Sequence, residues 1–163
     1  MNVAYLCLGG NIGDREATLS EAVKQIAAKV GKIESCSLLY ETEAWGVSAQ
    51  QAYLNQCVCV KTALDPLPLL QCLLNIEQAL GRQRTNSAVY EARTIDIDLL
   101  LFNDLVVEDK RLVVPHPRMH LRKFVLVPLN DIASGYLHPV FNKTIFNLLA
   151  ECSDTLEVRP YTP

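Results

Sequence analysis

Ile33-Glu34-Ser35-Cys36-Ser37-Leu38-Leu39-Tyr40, followed by Tyr53-Leu54-Asn55-Gln56-Cys57-Val58-Cys59-Val60-Lys61-Thr62, are two strand-like runs with a loop through Trp45-Gly46 between them. No helical segment separates them, so a purely parallel sheet is disfavoured. Working outward, Val3 to Leu8 is an apolar run ended by Gly9-Gly10, the pattern of a buried first strand. Asp14 can cap a helix from Arg15 to Val30, whose apolar stripe is Leu19, Val23, Ile26 and Val30, closed by Gly31. On the other side, Asp65-Pro66 opens a second helix with Leu69, Leu70, Leu73, Ile76, Glu77 and Leu80 at helical spacing before Gly81. After the polar stretch Arg82 to Arg93, Thr94 to Phe102 reads as a fourth strand, and Asn103-Asp104 turns the chain into Leu105–Val107. The order is strand, helix, strand, strand, helix, strand. It predicts an α+β protein: a ferredoxin-like split βαβ sandwich (a βαββαβ core) with an extra hairpin. Short C-terminal helices are expected near Phe124–Asn130 and Thr144–Glu151.

The 163 residues suit a single domain spanning 1–163, and a hydrophobic content of 50% with 20% charged residues is that of a globular protein with a core. No stretch approaches the roughly 20 apolar residues a membrane helix needs. Met1-Asn2-Val3-Ala4-Tyr5-Leu6 lacks the basic region and cleavage pattern of a secretory leader, so a cytoplasmic location is expected and no membrane partner. Cys7, Cys36, Cys57, Cys59, Cys72 and Cys152 lack paired metal-ligand spacing, and reduced thiols are the better reading. A net charge of -3 argues against a nucleic-acid binder.

The chemistry concentrates in Arg93-Thr94-Ile95-Asp96-Ile97-Asp98-Leu99-Leu100. In a strand Ile95, Ile97 and Leu99 point one way and Asp96 and Asp98 the other. Adjacent same-face carboxylates repel, and two readings follow: an edge strand showing both to water, or a divalent cation between them. Magnesium commonly uses one or two carboxylates together with substrate phosphates. Of eight arginines, Arg82, Arg84, Arg93, Arg111, Arg118 and Arg122 lie within this one region, and arginine is suited to bidentate phosphate contacts. Carboxylate-held metals ringed by guanidiniums grip a polyphosphate, and transfer from such a site needs no nucleophilic side chain.

These features, with Leu8-Gly9-Gly10-Asn11-Ile12-Gly13-Asp14, Tyr40-Glu41-Thr42, Tyr53-Leu54-Asn55 and Val114-Pro115-His116-Pro117-Arg118-Met119, resemble the 6-hydroxymethyl-7,8-dihydropterin pyrophosphokinase family of folate biosynthesis. The resemblance runs from Val3 to about Ile132. It implies transfer of pyrophosphate from ATP, the co-substrate, to a reduced hydroxymethyl pterin, with two Mg2+ ions held by Asp96 and Asp98. It implies that Arg82 and Arg93 act on the reacting phosphates. Glu77, Arg84, Tyr90, Leu99, Arg111, His116 and Arg122 would bind ATP, and Thr42, Trp45, Tyr53, Asn55 and Phe124 the pterin. Val89-Tyr90-Glu91-Ala92 departs from the family's usual basic residue, aromatic, glycine and proline, with Tyr90 in place of the usual tryptophan.

Plainer readings stand beside these. Tyr53 and Phe124 suit a strand core and a helix core as well as a ring clamp. Asn55 is disfavoured in a strand, which points to function. Glu77 lies on an apolar helix stripe, where an unpaired carboxylate is costly and a partner is expected. His116 sits rigidly between two prolines, whereas His120 and His138 lack such context and read as structural. Two rival functions are a two-metal phosphohydrolase and a non-catalytic ferredoxin-like binding module. The first usually recruits further carboxylates or histidines, and the second predicts central-strand aromatics and a basic face.

Overall fold

The strand Tyr53–Thr62 (β4) is apolar on both faces, and that demands cover on both sides. The computed structural model describes residues 1–43, 51–81 and 94–163. Asn2–Gly10 (β1) pairs antiparallel with β4 from Asn2 opposite Thr62 to Gly10 opposite Leu54. On the far side of β4 lie Gly31–Cys36 (β2) and Tyr40–Thr42 (β3). Asp96–Phe102 (β5) pairs antiparallel with β1 and forms one edge of the sheet; Arg159–Pro160 (β8) pairs with β3 at the other. A two-stranded ribbon, Val107–Glu108 (β6) with Val113–Val114 (β7), follows β5. Among the described residues the fold is thus mixed α/β, built on an antiparallel sheet with four α-helices.

Two helices cover one face. Arg15–Lys29 (α1) starts where Asp14 Oδ1 accepts from Ala17 N at 3.1 Å, and Pro66–Ala79 (α2) starts with proline at a position whose N–H has no helical partner. Leu19, Ala22 and Ile26 of α1 and Leu69, Leu73 and Ile76 of α2 bury against Leu6, Leu8, Leu54, Val58, Val60, Ile97 and Leu99 of the strands. Each fully buried leucine or isoleucine here contributes about 1.5–3 kcal/mol. The opposite face is covered by Lys123–Ala133 (α3) and Ile145–Glu151 (α4), which pack Val125, Leu126, Leu129, Ile145 and Leu148 over Cys7, Cys57 and Leu101.

Three details differ from the sequence expectation. The predicted strand Ile33–Tyr40 is broken after Cys36, because the Ser37 side chain replaces the ladder: Ser37 N donates to Cys57 O at 2.8 Å and Cys57 N to Ser37 Oγ at 2.9 Å. The hairpin strand begins at Val107, not Leu105. Asn103, at φ 48°, makes the turn, bonded to Val3 through both N and Oδ1, and it leaves Leu105 and Val106 exposed. The helix expected at Phe124–Asn130 runs on to Ala133.

Within β5 the register shifts, with Tyr5 opposite Leu101 but Leu6 opposite Leu99. Leu100 is therefore unpaired on the ladder, and both it and Leu101 pack beneath α3 and α4. The Leu100 carbonyl accepts from His116 N at 2.9 Å, so the bulge sets the position of the segment that follows β7. All six cysteines are free thiols, Cys36 among them exposed rather than packed. Among the described residues no helix is long and apolar enough to cross a membrane.

Candidate functional site

The pleat of β5 sorts its side chains. Ile97 and Leu99 are buried toward α1 and α2, and Asp96 and Asp98 point to the opposite face, half-buried. The strand is an edge strand, as the plainer reading of two neighbouring aspartates required, yet the carboxylates do not stand in open solvent. Directly opposite residues in a ladder share a face. One row is therefore Asp96, Gly9 and Asn55, and the next is Asp98, Cys7 and Cys57. A Cβ at Gly9 would lie 2.3 Å from Asn55 Nδ2; only glycine leaves the Asn55 amide room to reach across β1 and donate to Leu8 O at 3.4 Å.

Above these rows lies a cavity of about 230 Å³, walled by Thr42 and Glu43, Tyr53 and Asn55, Arg122 and Phe124, Leu156, Cys7, Gly9 and both aspartates. Thr42 Oγ1 and Asn55 Oδ1 are buried in it without a hydrogen-bond partner among the described residues. A buried polar atom left unpaired costs about 1–3 kcal/mol, and both atoms are placed where a polar ligand edge could pair with them. Tyr53 and Phe124 provide aromatic walls suited to a flat ring. The Arg122 guanidinium lies 5.7 Å from the Phe124 ring centroid.

A second, larger cavity of about 460 Å³ is lined by Leu70, Leu74 and Glu77 of α2, Ile97 and Leu99 of β5, and Asp109, Lys110, Arg111, His116 and Arg122 from the segment that follows β5. Asp96, Asp98 and Arg122 line both cavities. The two carboxylates thus stand at the boundary between an aromatic-walled pocket and one lined by charges of both signs.

Glu77, Arg111 and His116 of the second cavity each have a physical reason for their state. Glu77, only 2% exposed, accepts from Ile97 N at 3.3 Å through Oε2, so it caps an amide that the edge strand turns away from the sheet. Arg111 is held by Asp109 through Nε at 3.1 Å, an exposed pair that raises the arginine's already high pKa. His116 Nδ1 accepts from Arg118 N at 3.2 Å, which leaves the ring proton on Nε2. Burial foremost, then Arg122 and Arg118, push the His116 pKa below its ordinary value, against the opposing pull of Asp96. At neutral pH it is an uncharged N–H donor.

The expected pterin residues Thr42, Tyr53, Asn55 and Phe124 meet in the first cavity, and the expected ATP residues Glu77, Leu99, Arg111, His116 and Arg122 in the second. Trp45, Arg82, Arg84, Tyr90 and Arg93 lie outside the described residues. Sequence reasoning missed Cys7, Gly9, Glu43 and Leu156 in the first cavity and Leu70, Leu74 and Lys110 in the second. The signal for Gly9 was a glycine at a strand end; Leu156, far along the chain, had none. His138 is structural, as read: Nδ1 accepts from Val140 N and Phe141 N at 3.2 Å each.

This architecture is shared with Plasmodium falciparum HPPK-DHPS, whose wild-type crystal structure with pteroate superposes with a TM-score of 0.73 at 20% identity, over 92% of this chain and 44% of that one. The chain therefore spans less than half the length of that protein, and the likeness is one of fold. Residues 5–134 match the model of the 7,8-dihydro-6-hydroxymethylpterin-pyrophosphokinase (HPPK) family, and the chain belongs to that family. It is 42% identical over 141 residues to the 2-amino-4-hydroxy-6-hydroxymethyldihydropteridine pyrophosphokinase of Porphyromonas gingivalis strain ATCC 33277, covering 85% of this chain and 95% of that one. It is 45% identical over 135 residues to the Bacillus subtilis strain 168 enzyme of the same name, covering 80% of this chain and 78% of that one.

Proposed function

We propose that this chain transfers the β,γ-pyrophosphoryl group of ATP to the hydroxymethyl oxygen of 6-hydroxymethyl-7,8-dihydropterin, a step of folate biosynthesis, and releases AMP. The observation that carries this reading is the position of Asp96 and Asp98 on the shared boundary of two cavities of different character. A flat ring held between Tyr53 and Phe124, with its polar edge on Thr42 Oγ1 and the Asn55 amide, would present its hydroxymethyl oxygen toward that boundary. The nucleotide would lie in the second cavity, its base against Leu70, Leu74 and Leu99 and its phosphates toward Arg111, Arg122 and the His116 Nε2–H.

The hydroxymethyl oxygen attacks the β-phosphorus, its bond to phosphorus forms as the α,β-bridging bond breaks, and the bridging oxygen leaves with AMP. The hydroxyl proton passes to solvent or to a phosphate oxygen. Two same-face carboxylates are the hard oxygen donors that suit Mg2+, which commonly takes one or two of them together with substrate phosphates. Two such ions, when bound, neutralise phosphate charge and align the reacting oxygens. Asp96 and Asp98 would hold them, and Arg122, reaching both cavities, would meet the charge that shifts between the substrates. Arg82 and Arg93, with Arg84, Tyr90 and Trp45, complete the proposal on the strength of the sequence resemblance alone.

We read residues 1–163 as one domain. The strand order β5-β1-β4-β2, with α1 and α2 on one face, supports the ferredoxin-like split βαβ description. We place the protein in the cytoplasm on the sequence reading alone, and the net charge of -3 supports small-molecule rather than nucleic-acid partners. The test is a product assay with ATP, magnesium and the pterin. AMP must form only when all three are present, and Asp98→Ala must abolish it while pterin binding persists. Release of ADP and phosphate without pterin, at a comparable rate, would instead make the protein a phosphohydrolase.

A further inference from the structure

The family match ends at residue 134, yet Leu156 forms part of the wall of the first cavity. The segment that carries it is tied down at three points. Asp154 Oδ2 accepts from Lys123 N at 3.0 Å, at the start of α3 and one residue before Phe124, while its Oδ1 accepts from Leu156 N at 3.0 Å. Arg159 Nη2 donates to Glu41 Oε1 at 2.9 Å and to Glu43 Oε1 at 2.8 Å, the two residues that flank Thr42. Tyr161 N donates to Leu39 O at 2.9 Å, and the Tyr161 ring lies 5.4 Å from the Arg15 guanidinium carbon. Arg15 in turn bonds Glu41 Oε2 at 2.7 Å and Ala52 O at 2.8 Å, next to Tyr53.

We infer that the segment from Asp154 to Tyr161 is a clamp for the pterin: it joins the wall built by α3 to the wall built by β3, with Leu156 touching the ligand and Arg159 acting as a positioning residue. Away from the cavity, α3 and the β3 segment are already joined at Asp131, which accepts from Tyr40 Oη at 2.8 Å and from Leu38 N at 3.2 Å; the tail adds a second tie beside Phe124 and Thr42 themselves. One stretch of chain, from Asp154 to Tyr161, is thus bonded to the start of α3 at one end and to the β3 segment at the other, with Leu156 on the cavity wall between them. The Glu41 carboxylate, shared between Arg15 and Arg159, is held ionised below its usual pKa chiefly by the Arg15 bond. The ends of β3 and the start of β4 are therefore fastened by charge as well as by the ladder. The clamp fits the pterin side alone, since Leu156 lines only the first cavity.

This inference rests on assigning that cavity to the pterin, and the experiment separates the two. Wild type, Leu156→Ala, Arg159→Ala, Arg159→Lys and the control Tyr53→Ala are compared for kcat, for both KM values by AMP release, and for Tm. Leu156→Ala and Arg159→Ala should each raise the pterin KM about five- to tenfold, from lost apolar contact and lost positioning, with the ATP KM within about twofold. Arg159→Lys should restore the pterin KM, because one nitrogen makes both carboxylate bonds and an ammonium can occupy its place. Unchanged pterin KM in Leu156→Ala and Arg159→Ala proteins of wild-type Tm, a parallel rise in both KM values, or a lysine no better than alanine would each overturn the clamp. If wild type makes no AMP, the cavity assignment itself fails. If Tyr53→Ala raises the pterin KM while the two tail variants do not, only the clamp falls.

Discussion

Gly9→Ala is a substitution that should separate the site from the fold. Gly9 lies in β1 directly between Asp96 and Asn55, and its added Cβ would stand 2.3 Å from Asn55 Nδ2, 3.4 Å from Asn55 Cγ and 3.7 Å from Leu54 O. Only the first contact is intolerable, and the offending atom is the end of a side chain that can rotate aside. The backbone of Gly9 is ordinary strand, so alanine introduces no torsional strain there and removes some freedom from the unfolded chain. The stability cost is that of a weak 3.4 Å hydrogen bond to Leu8 O, about 1 kcal/mol or less. The functional cost is larger. A displaced Asn55 amide forfeits two neutral hydrogen bonds to the ligand edge, about 1–3 kcal/mol together, or roughly 5- to 150-fold in pterin affinity. Fluorescence titration with the pterin and urea unfolding of the same sample measure both quantities. Pterin affinity within twofold of wild type, or a stability loss as large as the loss in binding, would refute the reasoning.

Two further outcomes follow from buried ionisable groups. Glu77→Ala strips the acceptor from Ile97 N at the edge strand and should cost at least about 1–3 kcal/mol, whereas Glu77→Gln keeps an acceptor and should cost less; equal urea midpoints for the two would exclude this role. Burial, with a smaller effect of His120, lowers the His138 pKa from 6.5 to about 4, so this group binds protons more readily in the unfolded chain. Its contribution to stability is fully present above pH 6.5 and is lost as pH falls toward 4, by up to about 3 kcal/mol. His138→Gln should flatten the stability profile over that window, and an unaltered slope would show that other groups carry it.

The sequence by itself determined the order of elements and the faces of the strands, because both are local. Apolar residues at helical spacing, Asp14 and Pro66 at helix starts, and the alternation of Ile97 and Leu99 with Asp96 and Asp98 depend on neighbours a few residues away. Thr42, Tyr53, Asn55 and Phe124 line one cavity and Glu77, Leu99, Arg111 and His116 the other, with Arg122 on both. What only the tertiary structure decided is what distant segments do to one another. The edge position of β5 depends on which strand β1 accepts on its free side, and the break at Ser37 on a side chain that outcompetes the backbone ladder. The reason Gly9 must be glycine is the Asn55 side chain, 46 residues away in the chain but adjacent across the sheet. Leu156 reaches the cavity wall because the C-terminal segment is bonded to the start of α3 and pairs with β3. Such contacts are fixed by chain closure over long separations, and residue types alone carry no record of them.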